Sequence, residues 1–314
     1  MTIAACLLLY SVLLVVFAPP LLSSLTKAGH APRCGVAAWL IAIGSVLLTW
    51  VAVAILVLFD LIEHWRHGGS FVVACVQLLC DVAAGKAGTV PQLMLLVGAA
   101  AVVAIAGVSG IRLTRTIWRL RAQAQGHAQS VRLVGHPTAE RDVYIMDAAE
   151  RTAYCVSGKP PAIVVTSAAV AALDDEELRA VLAHERAHLD GHHPRVVTTL
   201  RGLALVFPWL ALFTRGAAEV SRLLEMCADD VAARRYGHQV LLTGLMALAG
   251  GSPAAALGAA DIAVLNRAQR LAVPPAHRAR LRAQAALTSA STIIACAPLA
   301  TLMLGVSGVL MCGG

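Results

Sequence analysis

The stretch Val181-Leu182-Ala183-His184-Glu185-Arg186-Ala187-His188-Leu189 decides how the rest of this chain is interpreted. Its two histidines are four residues apart, so on a helix they project from one face and can bind one zinc ion. Glu185 lies between them, where its carboxylate can take a proton from an attacking water molecule. Because so short a motif also arises by chance, its weight depends on the residues around it.

The neighbouring residues predict the helix that carries this motif. Asp174 is the predicted N-cap, and Glu177, three residues later, is its capping-box partner. Residues 191–194 end the helix, and we interpret His192 and His193 as residues of that end. Apolar residues that recur at helical spacing indicate that one side of the helix packs into a core: Leu178, Val181, Leu182 and Leu189.

A catalytic zinc site has three protein ligands and one open position, so a third ligand is required downstream. Glu225 is the best candidate, on a second acidic helix predicted from about Glu219 to Tyr236. Asp229 lies four residues on, hence on the same face, and can accept a hydrogen bond from the second nitrogen of a ligand histidine. We therefore predict one catalytic Zn²⁺ held by His184, His188 and Glu225, with Glu185 as the general base. Asp229 is predicted to orient a ligand histidine by accepting its hydrogen bond.

The segment before the motif is rich in residues that favour β-strands. Three short β-prone runs, Val143–Met146, Ala153–Val156 and Ala162–Thr166, predict a small sheet. An open edge of that sheet, especially at Ala162–Thr166, can hold an extended peptide by strand addition. Downstream, the apolar run Gly202–Thr214 is predicted to be a buried or interfacial helix, and Gln239–Ala260 a core helix plus a loop.

Composition places the chain in the membrane. It has 314 residues, of which 58% are hydrophobic and 14% charged, with a mean hydropathy of +0.74, far from the averages of soluble proteins. Four blocks are long enough to cross the hydrocarbon core as helices: about 2–26, 35–60, 89–111 and 283–314. We read the first as a retained span, because it lacks a basic start and a cleavage site.

The distribution of Lys and Arg predicts the orientation. Arg112, Arg115, Arg119 and Arg121 follow the third block, and Arg278, Arg280 and Arg282 precede the fourth. Cytoplasmic loops carry this excess. We therefore expect a multi-pass plasma-membrane protein with both termini outside. Residues 1–119 form three transmembrane helices and their loops, 120–282 a cytosolic domain, and 283–314 the fourth helix.

Charge and cysteine content restrict the partners. The net charge is +7, and much of the excess of Lys and Arg lies next to the predicted membrane spans. Lipid headgroups therefore explain this charge better than nucleic acid does, and we expect no direct nucleic-acid binding. The eight cysteines show no metal-binding or disulfide framework. Cys75 and Cys80 share the predicted outer loop, where a disulfide and reduced packing residues are equally compatible with the sequence.

These motifs together resemble a known family. The stretches 161–166, 173–178, 181–189 and 225–229 are similar to the membrane gluzincins, and most similar to the BlaR/MecR group of antirepressor peptidases. The Ste24/HtpX group shares the same motif pair. The resemblance implies a mainly α membrane protein with an α+β zincin domain, four spans arranged three plus one, and the zinc ligands, base and supporting aspartate named above.

The resemblance also implies a role in signal transduction. Its leading form is a zinc metalloendopeptidase that cleaves a BlaI-like cytosolic repressor, or itself. The alternatives are a Ste24/HtpX-like quality-control protease and a signalling scaffold in which zinc only ties two helices together. BlaR/MecR members end in a penicillin-binding sensor domain, and this chain stops at Gly314, so we expect no β-lactam sensing. The stimulus, the cleavage site and the oligomeric state stay open, and a homodimer is compatible with the sequence.

Overall fold

A computed structural model describes residues 2–68, 90–249 and 259–306 of the chain. The elements in chain order are α1 (Thr2–Thr26), α2 (Pro32–Gly68), α3 (Val90–Val134), β1 (His136–Pro137), β2 (Val143–Met146), β3 (Ala153–Val156), β4 (Ala162–Thr166), α4 (Ser167–Ala172), α5 (Asp175–Asp190), α6 (His193–Val206), α7 (Ala211–Tyr236), α8 (His238–Leu248), α9 (Ala259–Ala272) and α10 (His277–Val306).

Three helices among the described residues are long and apolar enough to cross a membrane: Ile3–Thr26, Pro32–Leu56 and His277–Thr301. They support insertion of the chain into a bilayer. The predicted span at 89–111 corresponds to the first half of α3, which is not among these three, so it stays a prediction. Residues 69–89, with Cys75 and Cys80, and residues 307–314 lie outside the described part of the chain.

The chain divides into two compact units. The first comprises Met1–Ala18, Ile41–Thr114 and Thr292–Gly314. Within it, the Tyr10 hydroxyl donates to the Ile294 carbonyl at 2.7 Å and shares a 2.8 Å hydrogen bond with Ser45 Oγ. These bonds join three candidate spans. They also give the polar groups partners that hydrocarbon cannot offer.

The second unit, Pro19–Leu40 and Arg115–Ser291, contains a four-stranded sheet in the order β1-β2-β4-β3. The three predicted strands are confirmed. β4 pairs with β2 in parallel and with β3 in antiparallel fashion. The expectation of an open edge at Ala162–Thr166 is therefore wrong, because both edges of β4 are paired. Among the described strands, the outermost two are β1 and β3.

The sheet is covered on both faces, which explains why all five residues of β4 are buried. On one face, Val164 packs against Ala128 and Val131 of α3. On the other, Ile163 and Val165 pack against residues that include Leu182 of α5. This second face fixes the position of the motif helix.

The start of α5 is confirmed as predicted. Asp174 Oδ1 accepts the backbone N–H groups of Glu176 and Glu177 at 2.9 and 2.8 Å. Glu177 Oε2 accepts the Asp174 N–H at 3.1 Å, which completes the capping box. The helix ends at its C-cap Gly191, also as predicted.

The prediction of one helix over Gly202–Thr214 is wrong. α6 ends at Val206 and α7 begins at Ala211, eight residues before the expected start at Glu219. Pro208 lies in the turn between them, where its missing N–H and fixed φ interrupt the helix. The core helix predicted after Gln239 is confirmed as α8, whereas residues 250–258 lie outside the described part.

Candidate metal centre

The packing of α5 against α7 brings together the three predicted ligand side chains. The Nε2 atoms of His184 and His188 are 3.1 Å apart. Glu225 Oε2 lies 3.5 Å from His184 Nε2, and Glu225 Oε1 lies 3.5 Å from His188 Nε2. Among the described residues, these three side chains form a group whose ligand atoms are close enough together to hold a metal ion.

The spacing of these donors fits zinc. Ligands bound at about 2.0–2.1 Å in tetrahedral geometry are separated by about 3.3 Å, and the three observed separations of 3.1, 3.5 and 3.5 Å lie on both sides of that value. Two imidazoles and one carboxylate are also the donor set of catalytic zinc sites. The side chain of Glu225 is 40% exposed, so the group opens to solvent on that side.

The electrostatics of the centre favour a cation. Burial alone would lower the pKa of His184, but the carboxylates of Asp229 and Glu225 outweigh it and raise the pKa to about 9. Burial likewise tends to raise the pKa of Glu225, yet contact with the two histidines lowers it overall. The surroundings therefore stabilise positive charge at the point where the three side chains meet.

Asp229 lies behind His184. Its Oδ1 is 3.1 Å from His184 Nδ1, although the buried Nδ1 lacks the alignment of a formed hydrogen bond. Arg267 of α9 donates two hydrogen bonds to the same carboxylate, from Nε at 2.9 Å and from Nη2 at 2.8 Å. Its Nη1 also lies 3.2 Å from Glu225 Oε2. Arg267 thus connects the candidate third ligand to the aspartate.

His193, which the sequence assigned to the helix end, contacts a candidate ligand. Its Nδ1 lies 2.9 Å from His188 Nδ1, so it contacts the nitrogen of His188 that faces away from Glu225. Burial lowers the pKa of His193 to about 4, which keeps its imidazole neutral. A Cβ at Gly191 would meet this imidazole, so a larger residue there would force the His193 ring to move. His192, by contrast, is exposed and has a left-handed backbone.

Glu185 is placed between the motif histidines and the sheet. Burial raises its pKa, while the two histidines act in the opposite direction. The thiol of Cys155, on the outer strand β3, lies beside its carboxylate. Burial raises the pKa of this thiol, and the adjacent Glu185 charge adds to the effect, so the thiol is protonated and can donate.

Sequence reasoning missed three residues of this centre, namely Arg267, His193 and Cys155. Arg267 is 38 positions from Asp229, and no spacing rule connects residues so far apart. His193 had a visible signal, since two further histidines, His192 and His193, follow the motif within five residues.

A cavity of about 390 Å³ in the same unit is lined by none of the candidate ligands. Residues of α1, the α1–α2 turn, α7 and α9 line it, among them Lys27, Glu219 and Arg222. Because none of the candidate ligands lines it, the cavity is not the site of the chemistry.

Comparison with known proteins gives one match. Residues 118–250 match the model of Peptidase family M48. No curated protein and no solved structure matches the chain significantly. The matched segment contains α5, α7 and all three candidate ligands, and zinc dependence is general for that family. This match supports the interpretation of the chain as a metallopeptidase. The matched family includes membrane proteases.

Proposed function

We propose that this protein is an integral-membrane zinc metalloendopeptidase with its active site at the meeting point of α5 and α7. The observation that carries the proposal is the convergence of His184, His188 and Glu225 next to the carboxylate of Glu185. The match to Peptidase family M48 supports the same chemistry independently of the geometry.

Each residue then has a defined task. His184, His188 and Glu225 would hold the ion, which would act as a Lewis acid that acidifies water and polarises the scissile carbonyl. The Glu185 carboxylate accepts the proton of the attacking water and delivers it to the leaving amine.

The outer strand β3 is the proposed binding edge for an extended substrate. The Thr166 N–H donates to the Thr152 carbonyl at 3.1 Å. Hydrogen-bonded pairs alternate along an antiparallel ladder, so Ala153 and Cys155 direct their backbone groups away from β4. Since Cys155 also contacts Glu185, a peptide added at this edge lies beside the catalytic base.

The peptidase domain is proposed to lie on the cytoplasmic face. Arg222 of α7 donates to the Thr26 carbonyl at 2.9 Å, and Arg270 of α9 donates to the Gly29 carbonyl at 3.0 Å. The turn between the first two candidate spans and the peptidase helices therefore share one membrane face. Arginines follow the predicted span in α3 and precede the last span. Because cytoplasmic loops carry an excess of Lys and Arg, this distribution favours the cytoplasmic face of the membrane.

For the substrate, we propose a cytosolic BlaI-like transcriptional repressor or the protein itself, on the strength of the BlaR-like sequence layout. The main alternative is a Ste24/HtpX-like protease of broad specificity that removes damaged membrane proteins. The two differ in cleavage breadth: comparison of the proteomes of cells with the active protein and with Glu185→Gln should show one or a few accumulated proteins for the first role, and many for the second.

The catalytic proposal is tested with purified full-length protein, one equivalent of zinc and β-casein as an unfolded substrate. We expect Glu185→Gln to keep stoichiometric zinc, measured by elemental analysis, and to lose about 10²–10⁴-fold of the cleavage rate, the contribution of a general base. A panel of BlaI-like repressors is then assayed for a defined fragment.

A scaffold role predicts the opposite result. If zinc only tied α5 to α7, Glu185→Gln would leave signalling in cells intact, whereas His184→Ala, which removes a zinc ligand, would disrupt it. Structural zinc sites usually close with four protein ligands, whereas three ligating side chains converge among the residues that the structure describes.

A further inference from the structure

The turn that joins α6 to α7 is apolar and projects from the peptidase domain. α6 and α7 pack together as a helical hairpin, and residues 205–210 (LVFPWL) form its tip. We call these six residues the apolar tip. Leu205 is 66% exposed and Trp209 is 74% exposed. Large apolar side chains exposed close together in one turn are typical of an interaction surface.

The apolar tip is held in place. The ring of Phe207 packs edge-to-face against Trp209, with centroids 6.1 Å apart, and against Phe213 at 5.4 Å. Phe213 is fully buried in the hairpin, so it anchors the tip to the domain. Trp209 is thus presented outward on a fixed support rather than on a loose loop.

The direction of α7 shows which side of the domain the tip occupies. Glu219 and Arg222 contact Thr26, where the candidate span Ile3–Thr26 ends. Further along α7, Met226 lies beside Gly29, in the turn that follows this span. α7 therefore runs in the same direction as the end of α1. Its first residues, with the tip, lie on the side from which α1 emerges.

The charges around the tip match a lipid surface. Arg201 on α6 and Arg215 on α7 flank it, and both are exposed. No acidic residue occurs between Asp190 and Glu219. Tryptophan is enriched at the membrane–water boundary, and arginine there interacts with anionic headgroups.

We propose that the apolar tip inserts into the lipid bilayer, in the leaflet next to the peptidase domain. Leu205 and Trp209 enter the boundary between headgroups and acyl chains, and Arg201 and Arg215 contact the lipid phosphates. Glu225 follows Leu210 by fifteen residues of one helix, a distance of about 22 Å. The inserted tip and the metal centre therefore lie on the same helix, and the tip anchors the domain to the membrane without taking part in catalysis.

The test compares two cysteine variants of the full-length protein in lipid nanodiscs, which leave both membrane faces open. Trp209→Cys reports on the tip, and Leu133→Cys is the control, since Leu133 is 86% exposed near the end of α3. Each is labelled with a membrane-impermeant maleimide, with the unmodified chain as background. We expect Trp209→Cys to react at least tenfold more slowly than Leu133→Cys, and both to react fully in SDS. Equal rates in nanodiscs would overturn the proposal.

A second measurement keeps the native tryptophan. The fluorescence difference between the unmodified chain and Trp209→Phe isolates the emission of Trp209. In nanodiscs of brominated phosphatidylcholine this difference should fall at least twofold relative to unbrominated lipid. An unquenched difference means that Trp209 faces water or another protein, and it refutes insertion.

Discussion

Arg267 links the two carboxylates of the candidate metal centre. It donates two hydrogen bonds to Asp229, whose side chain is 1% exposed, and lies 3.2 Å from Glu225. Burial alone would raise the pKa of Asp229, but the bonds from Arg267 lower it and keep the carboxylate charged. A charged Asp229 can orient His184, and a fixed Glu225 is preorganised as a ligand.

We expect Arg267→Ala to weaken zinc binding by about 10–100-fold, the usual effect of losing a partner behind the ligands. It also leaves the buried charge of Asp229 uncompensated, at a cost of about 3–5 kcal/mol in stability. Zinc affinity is measured by competition with a chromogenic chelator.

Two further variants separate these effects. Arg267→Lys keeps the charge but loses the bidentate geometry, so it should fold and still bind zinc more weakly. Arg234→Ala removes an exposed arginine of α7 and serves as the matched control. Unchanged zinc affinity in folded Arg267→Lys and Arg267→Ala would contradict the role assigned to Arg267.

At the scale of elements, the outer strand β3 and the capped start of α5 can each be tested. β3 presents the backbone of Ala153 to its open edge, whereas its neighbour Tyr154 pairs with Val164 of β4. A change at position 153 can therefore alter the edge without removing a bond of the ladder.

We expect Ala153→Pro to reduce cleavage of β-casein by at least about tenfold, mainly through KM, because proline removes an N–H that strand addition uses. Cleavage is measured together with Tm, which should change little. Ala153→Ser, which keeps the N–H, is the control. Cleavage by Ala153→Pro at the unmodified rate would exclude β3 as the binding edge.

The capping box at the start of α5 should contribute to stability. Asp174→Ala removes the acceptor of two backbone N–H groups, and we expect a loss of about 1 kcal/mol. Asp175→Ala, one residue later in the first turn, is the control, and thermal unfolding in detergent compares the two. Equal Tm values would show that the cap is energetically neutral.

At the scale of the whole molecule, the ion should stabilise the fold, because its candidate ligands come from two helices that must pack together. A ligand present at 1,000 times its Kd stabilises the native state by about 4 kcal/mol. We expect a chelator to lower the Tm of the unmodified protein and added zinc to restore it. His184→Ala should show no such shift. A Tm that is insensitive to zinc in both proteins would argue against a bound ion at this centre.

Much of the local structure follows from the sequence alone. The capping box, the three longer strands and the helix that carries the motif depend on residues within a few positions of each other, or on a hydrophobic period. For the same reason the two ligand histidines could be identified, since a four-residue spacing on a helix fixes their common face. The continuous apolar character of β4 predicted a strand, but not that both of its edges are paired.

Tertiary packing decided the rest. The partnership of Arg267 with Asp229, the contact of His193 with His188, and the placement of Cys155 beside Glu185 join residues on different elements. The side of the domain to which the apolar tip projects also depends on how α7 packs against the end of α1. Such contacts leave no periodic trace in the chain, because they depend on which elements become neighbours once their apolar faces are buried.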